Sequence, residues 1–170
     1  MTLEIEKSGQ TEAAGGGSDP AFVGGTLSIN TTAAATTAVT TEETLMSYTV
    51  PANTLLKDGQ GIRIKVAATF AATATTKTVR IKLGATTLFT DTGVFNDVAG
   101  VYEIDLFRTG VGAQKRYIIR IRGTAAFFNP VSTSSEDETT DLAITVTGQN
   151  GTANADDITA ELLHAEFINF

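Results

Sequence analysis

The chain has 170 residues, with 12 Lys and Arg against 19 Asp and Glu for a net charge of −7, and its length suits one domain. The acidic balance argues against nucleic-acid phosphates and anionic membrane surfaces as partners, since both need clustered Lys and Arg. The lack of Cys removes disulfides, thiolate catalysis and zinc–thiolate sites.

Residues 1–42 read as an N-terminal arm, either a flexible tail or a partner-bound segment, set before a β-sandwich domain over residues 43–170. Met1 to Gln10 alternates charged and apolar residues and has no continuous apolar run of the signal-peptide kind. No stretch approaches the roughly 20 apolar residues of a membrane span. Ala13 to Pro20 is Gly-rich and turn-prone, and Thr26-Leu27-Ser28-Ile29 is a short strand signal. Leu3, Ile5, Phe22 and Val23 are the apolar side chains that would anchor such an arm on a neighbouring subunit.

From residue 43 onward strand signals recur. Leu45 to Val50 is stopped by Pro51, and two turns follow at 51–54 and 57–61. Ile62-Arg63-Ile64-Lys65-Val66 and Val79-Arg80-Ile81-Lys82-Leu83 alternate strictly, which places the apolar residues on one face of a strand. Thr86 to Phe89 is a short strand with a turn at Asp91-Thr92-Gly93. Val101 to Phe107, Tyr117 to Arg122, Leu142 to Thr147 and Ile158 to Phe170 complete the series. A helix over Ala155 to Leu163 is the competing reading of the last segment, disfavoured by its Thr content. The pattern predicts an all-β chain of about eight antiparallel strands, a jelly-roll-like sandwich with an extended N-terminal arm. An immunoglobulin-like sandwich is less favoured, since its Cys and Trp markers are missing.

The run Tyr48-Thr49-Val50-Pro51-Ala52-Asn53-Thr54-Leu55 precedes a Gly-led strand, Gly61 to Val66. Ala68-Thr69-Phe70-Ala71-Ala72 and Thr76 to Gly84 come next, then Asp91-Thr92-Gly93 and a strand ending Phe107-Arg108-Thr109-Gly110. This order resembles a group of phage virion modules found in tail fibres and as small head-surface proteins. The resemblance spans roughly residues 43–169 and carries no chemical signature. It implies a jelly-roll-like β-sandwich assembled as a homotrimer, with no catalytic residues and no cofactor. The function it suggests is a capsid decoration, or cement, protein that binds itself and the major capsid protein or other virion proteins. It would be made in the host cytoplasm and located in the virion. The alternative is a tail-fibre or baseplate head domain that binds a host surface through loops at 71–76 and 133–138.

The remaining features are weighed on their chemistry. His164 is the only His and has no Cys partner, so it reads as a packed or interface side chain. Glu136-Asp137-Glu138 with Asp141 is the sharpest acidic cluster, but it lacks the ligand spacing and central Gly of a calcium loop, so a solvated loop is the simpler reading. Asp156-Asp157 is read the same way. With no Trp and 7% aromatics, a sugar-cleaving cleft is disfavoured, and the lack of a nucleophile–base pair argues against any enzyme. Gly15-Gly16-Gly17 and Gly24-Gly25 are not phosphate loops, since no Lys-Ser/Thr follows. Lys115-Arg116, Arg120 and Arg122 are the one basic cluster, read as a solvated sheet face or a contact to a neighbour's carboxylates. Phe127 and Phe128 are adjacent on a strand and must point to opposite faces, so one is expected at an oligomer interface. Phe167 and Phe170 pose the same question and are assigned to the same interface.

Overall fold

The structure, a computed structural model, describes residues 24–96 and 98–169, with Asn129 and Pro130 described by backbone alone. Leu3, Ile5, Phe22, Val23 and Phe170 lie outside the described residues.

The described chain is all-β. Its strands are β1 (Gly25–Asn30), β2 (Ala34–Ala35), β3 (Glu43–Val50), β4 (Gly61–Phe70), β5 (Thr76–Leu83), β6 (Thr86–Val94), β7 (Val98–Gly110), β8 (Ala113–Arg122), β9 (Ala125–Ser134), β10 (Leu142–Asn150) and β11 (Ile158–Ile168). They form two antiparallel sheets. The larger has the order β1-β11-β4-β7-β8-β9, with β2 added on β11, and the smaller the order β3-β10-β5-β6. Setting aside β2 and the β8–β9 hairpin, eight strands remain. Counted in chain order they lie 1-8-3-6 in one sheet and 2-7-4-5 in the other, which is the strand order of a jelly roll. The hairpin is an insertion that widens one sheet by two strands.

Period-two alternation builds the core. In β4 the side chains of Ile62, Ile64, Val66, Ala68 and Phe70 are buried, while Arg63 and Lys65 lie on the outer face. Ile104 and Leu106 of β7, Ile81 and Leu83 of β5, Ile144 and Val146 of β10, and Leu163 and Ala165 of β11 meet them between the sheets. At the β5–β6 turn Gly84 has φ +55, and a Cβ there would overlap the Glu136 carboxylate, so the position needs Gly on both counts.

Three expectations are corrected. The sheet begins well before residue 43. Gly25–Asn30 pairs with β11 from Gly25↔Phe167 to Asn30↔Leu163 and covers an edge that would otherwise be open, and Leu27 packs on the core. Eleven strands are present among the described residues rather than eight, because β1, β2 and β9 carry weak signals. The expected turn at Asp91-Thr92-Gly93 is instead the end of β6, which continues to Val94. Asp91 points inward there and is held by partners that local sequence does not reveal.

Candidate functional site

The acidic loop is not solvated at its ends. Glu136 and Glu138 are both buried. The Glu136 carboxylate accepts the backbone N–H of Thr86 at 2.8 Å, and that of Glu138 accepts the N–H of Gly112 at 2.9 Å. Between them lies Gln114, 1% exposed. Its side-chain amide donates to the Glu136 carbonyl at 2.8 Å and to the Glu138 carboxylate, and its carbonyl accepts the Glu136 N–H at 2.9 Å. Arg108 lies 3.9 Å from Glu138 and donates to the Leu56 carbonyl. Asp137 is exposed, and the hydroxyl and N–H of Thr139 lower its pKa. Asp141 is exposed and accepts the Ala52 N–H at 2.8 Å. These carboxylates serve as latches between loops. Among the described residues no group of three or more His, Asp or Glu is placed to hold a metal ion.

The other acidic pair divides. Asp156 is exposed, but Asp157 is fully buried and accepts the hydroxyls of Thr73 at 2.6 Å and Thr75 at 2.9 Å. Lys77 is equally buried, and its ammonium donates to the carbonyls of Thr73 and Phe95, both at 2.8 Å. The 71–76 loop, a candidate for contacting a host surface, is thus tied down by its own hydroxyls and carbonyls.

Arg120 and Arg122 do share a face, but it is the inner one. Both donate to the buried carboxylate of Asp91, at 2.5 and 3.1 Å, and the Tyr102 hydroxyl donates to the same group at 3.1 Å. Burial first, then the Asp91 charge, pushes the Tyr102 pKa well above its usual value. The guanidinium of Arg120 lies 4.0 Å over the Phe127 ring, and that of Arg122 lies 4.1 Å over Phe95. Four residues from three strands thereby clip the inserted hairpin to β6 of the opposite sheet. Of the rest of the basic cluster, Lys115 is exposed, and Arg116 donates to Ser132 on the neighbouring strand at 2.7 Å.

The outer face of the large sheet is different in kind. Cross-strand partners share a face, so the register places Val101 beside Ile121 and Ala126, Ile119 beside Phe128, and Tyr117 beside Asp105. Phe128 is 65% exposed, and Val101, Tyr117 and Ile121 are also exposed large apolar side chains. Next to this apolar strip runs a charged band. Arg63 forms two hydrogen bonds to Asp105, at 2.7 and 2.9 Å, and Lys65 lies 3.3 Å from Glu103. The Asp105 hydrogen bond is the main cause that raises the pKa of Arg63. His164 lies on the same face, half-buried between Ile29 and Lys65 in the register, and its Nε2 has no hydrogen-bond partner.

One edge of the large sheet belongs to β1 and the other to β9, whose ten residues include no Lys, Arg, Asp or Glu. Natural edges are usually blunted by charge, and here Pro130 and a register shift opposite Arg116/Ile118 interrupt the ladder instead. Phe127 and Phe128 point to opposite faces, as their adjacency requires, at 41% and 65% exposure. Phe167 does not join them. It is 2% exposed and part of the core, because its β11 position faces the smaller sheet. Val101, Tyr117 and Ile121 were missed as surface residues. Their strands read as ordinary alternation, and nothing local says that a strand's second face lacks a covering layer.

A depression beside Val50, Leu55, Ile62 and Leu142 has a volume of about 10 Å³, far below the ~300–1,000 Å³ of ligand pockets. No helix among the described residues is long and apolar enough to cross a membrane. No protein-family model matches the chain, and no curated protein matches it. Among solved structures the chain is similar to the CBM2 module of the evolved Dit of Lactobacillus casei BL23 phage J-1. The identity is 12%, 73% of this chain and 69% of that chain are covered, and the TM-score is 0.42.

Proposed function

We propose that this chain is a non-enzymatic structural protein of a phage particle, a homotrimeric decoration module that cements the head by binding itself and the major capsid protein. One observation carries the reading: a jelly roll leaves an apolar strip exposed on β7–β9, next to an edge strand with no charge, and borders it with a charged band. An apolar centre with a polar rim is the anatomy of a protein–protein interface. A threefold ring would bury that strip against a different surface of the next copy and close on itself. The buried carboxylates at 91, 136, 138 and 157 are each engaged in hydrogen bonds that hold the fold, which supports a binding role without turnover. Reinforcement then comes from many weak contacts made at once across the particle surface.

The test is the copy number of the protein in purified particles, by quantitative mass spectrometry against the major capsid protein. Near-stoichiometric copies are expected. A few copies per particle would move it to the tail and favour binding of a host surface. Absence from particles would overturn the virion reading.

A further inference from the structure

Asn150 and Gly151 form the one Asn-Gly pair in the sequence. In such a pair the Gly backbone nitrogen can attack the Asn side-chain carbonyl carbon. It loses its proton, and the side-chain nitrogen leaves as ammonia. Water then opens the cyclic imide to aspartate or isoaspartate, so the net change is one water in and one ammonia out. Gly favours the reaction because it does not hinder the approach of its own nitrogen.

Here every group that must move is held. Asn150 ends β10 and is 1% exposed. Its side-chain amide donates to the carbonyls of Thr37 at 2.9 Å and Asn154 at 2.7 Å. The attacking nitrogen of Gly151 donates to the Thr76 carbonyl at 2.7 Å. The structure also explains why so labile a pair is used. A Cβ at position 151 would come within 2.7 Å of the Thr76 carbonyl oxygen, so only Gly lets the chain pass β5.

We infer that Asn150 is a deamidation site that the fold holds shut, and that its product cannot return to the native position. Attack requires the hydrogen bonds to Thr37, Asn154 and Thr76 to open together, a local unfolding of the 150–157 loop. Once formed, aspartate would place a carboxylate against two carbonyl oxygens in a buried site, where no donor replaces the lost amide hydrogens. Isoaspartate would add a backbone carbon and shift the register. The reaction is thus a one-way record of loop opening.

The test uses the full chain in mildly alkaline buffer, native and in urea, with peptide mass spectrometry of Asn150. Native conversion is expected to be at least about tenfold slower than in the unfolded chain; equal rates would overturn the protection. Asn150→Asp tests the second half. The buried carboxyl is expected to have a raised folded pKa, so the variant's stability should be largest in acid and fall as pH rises above about 4. A variant that folds only in acid supports the inference. One with the parent's melting temperature at neutral pH would overturn it. If the variant folds at no pH, the native-versus-urea comparison still decides the first half.

Discussion

Tyr102 shows how one polar atom is accommodated inside this sandwich. Its ring is fully buried and packs 5.6 Å from that of Phe89, while its hydroxyl reaches the Asp91 carboxylate. Burial and the neighbouring negative charge both disfavour the phenolate, so the folded-state pKa lies above the unfolded value of about 10. A raised pKa gives stability that is complete below the unfolded pKa and is lost as pH rises beyond it. Stability should therefore drop above about pH 10 in part through Tyr102. Tyr102→Phe is expected to flatten that alkaline limb at a cost of about 1 kcal/mol at neutral pH, from one lost hydrogen bond. Urea unfolding at stepped pH checks both points. A steep alkaline limb kept in the variant would assign the effect to another group.

At the scale of elements, the β8–β9 hairpin depends on polar clips. One end is joined to β6 through Asp91, Arg120 and Arg122, and the other is latched through Gln114 to Glu136 and Glu138. Removing one partner of a buried ion pair leaves an uncompensated charge and costs about 3–5 kcal/mol. Arg120 and Arg122 are 19% and 25% exposed at the side chain, so the low end of that range applies. Asp91→Asn is expected to cost about 3 kcal/mol. The loss should be concentrated in the hairpin, with faster amide exchange in β8 and β9 and little change at the β4–β11 ladder. A uniform rise in exchange would show that the clip stabilises the whole sandwich rather than its insertion. The hairpin was half legible in sequence. Tyr117 to Arg122 is a strong strand run, but β9 contains Pro130 and small residues, which weaken its own signal. Its pairing with β8 supplies what local propensity does not.

For the whole molecule, the question is what covers the outer face of the widened sheet. Phe128→Asp places a charge at the centre of the proposed contact without touching the core. It is expected to shift the protein to monomer in sedimentation equilibrium, with a folding stability within about 0.5 kcal/mol of the parent, as for other surface substitutions. Unchanged oligomer mass would mean that the strip is not the self-contact. A monomeric parent would set aside the trimer while leaving the capsid contact to be tested on particles.

Alternation, turn residues and composition determined the class of this protein by themselves. Buried and exposed positions of β4, and of β5 from Val79 onward, follow from period two alone, because one sheet face must leave water. Period two by itself puts Ile158, Ala160, Leu162, His164, Glu166 and Ile168 on one side of β11, but the register shift between Ala160 and Leu162 moves the buried set to Leu163, Ala165 and Phe167. The acidic and basic clusters were visible as clusters, but their roles were not. Whether Arg120 faces solvent or Asp91 depends on a strand 29 residues away, and whether Glu138 is solvated depends on Gln114, 24 residues away. The same holds for β1, whose residues count as an arm until β11 is placed beside them. Only tertiary structure decided these points, because a charged or apolar side chain is read by what lies across from it, and in an antiparallel sandwich that neighbour comes from a distant part of the chain.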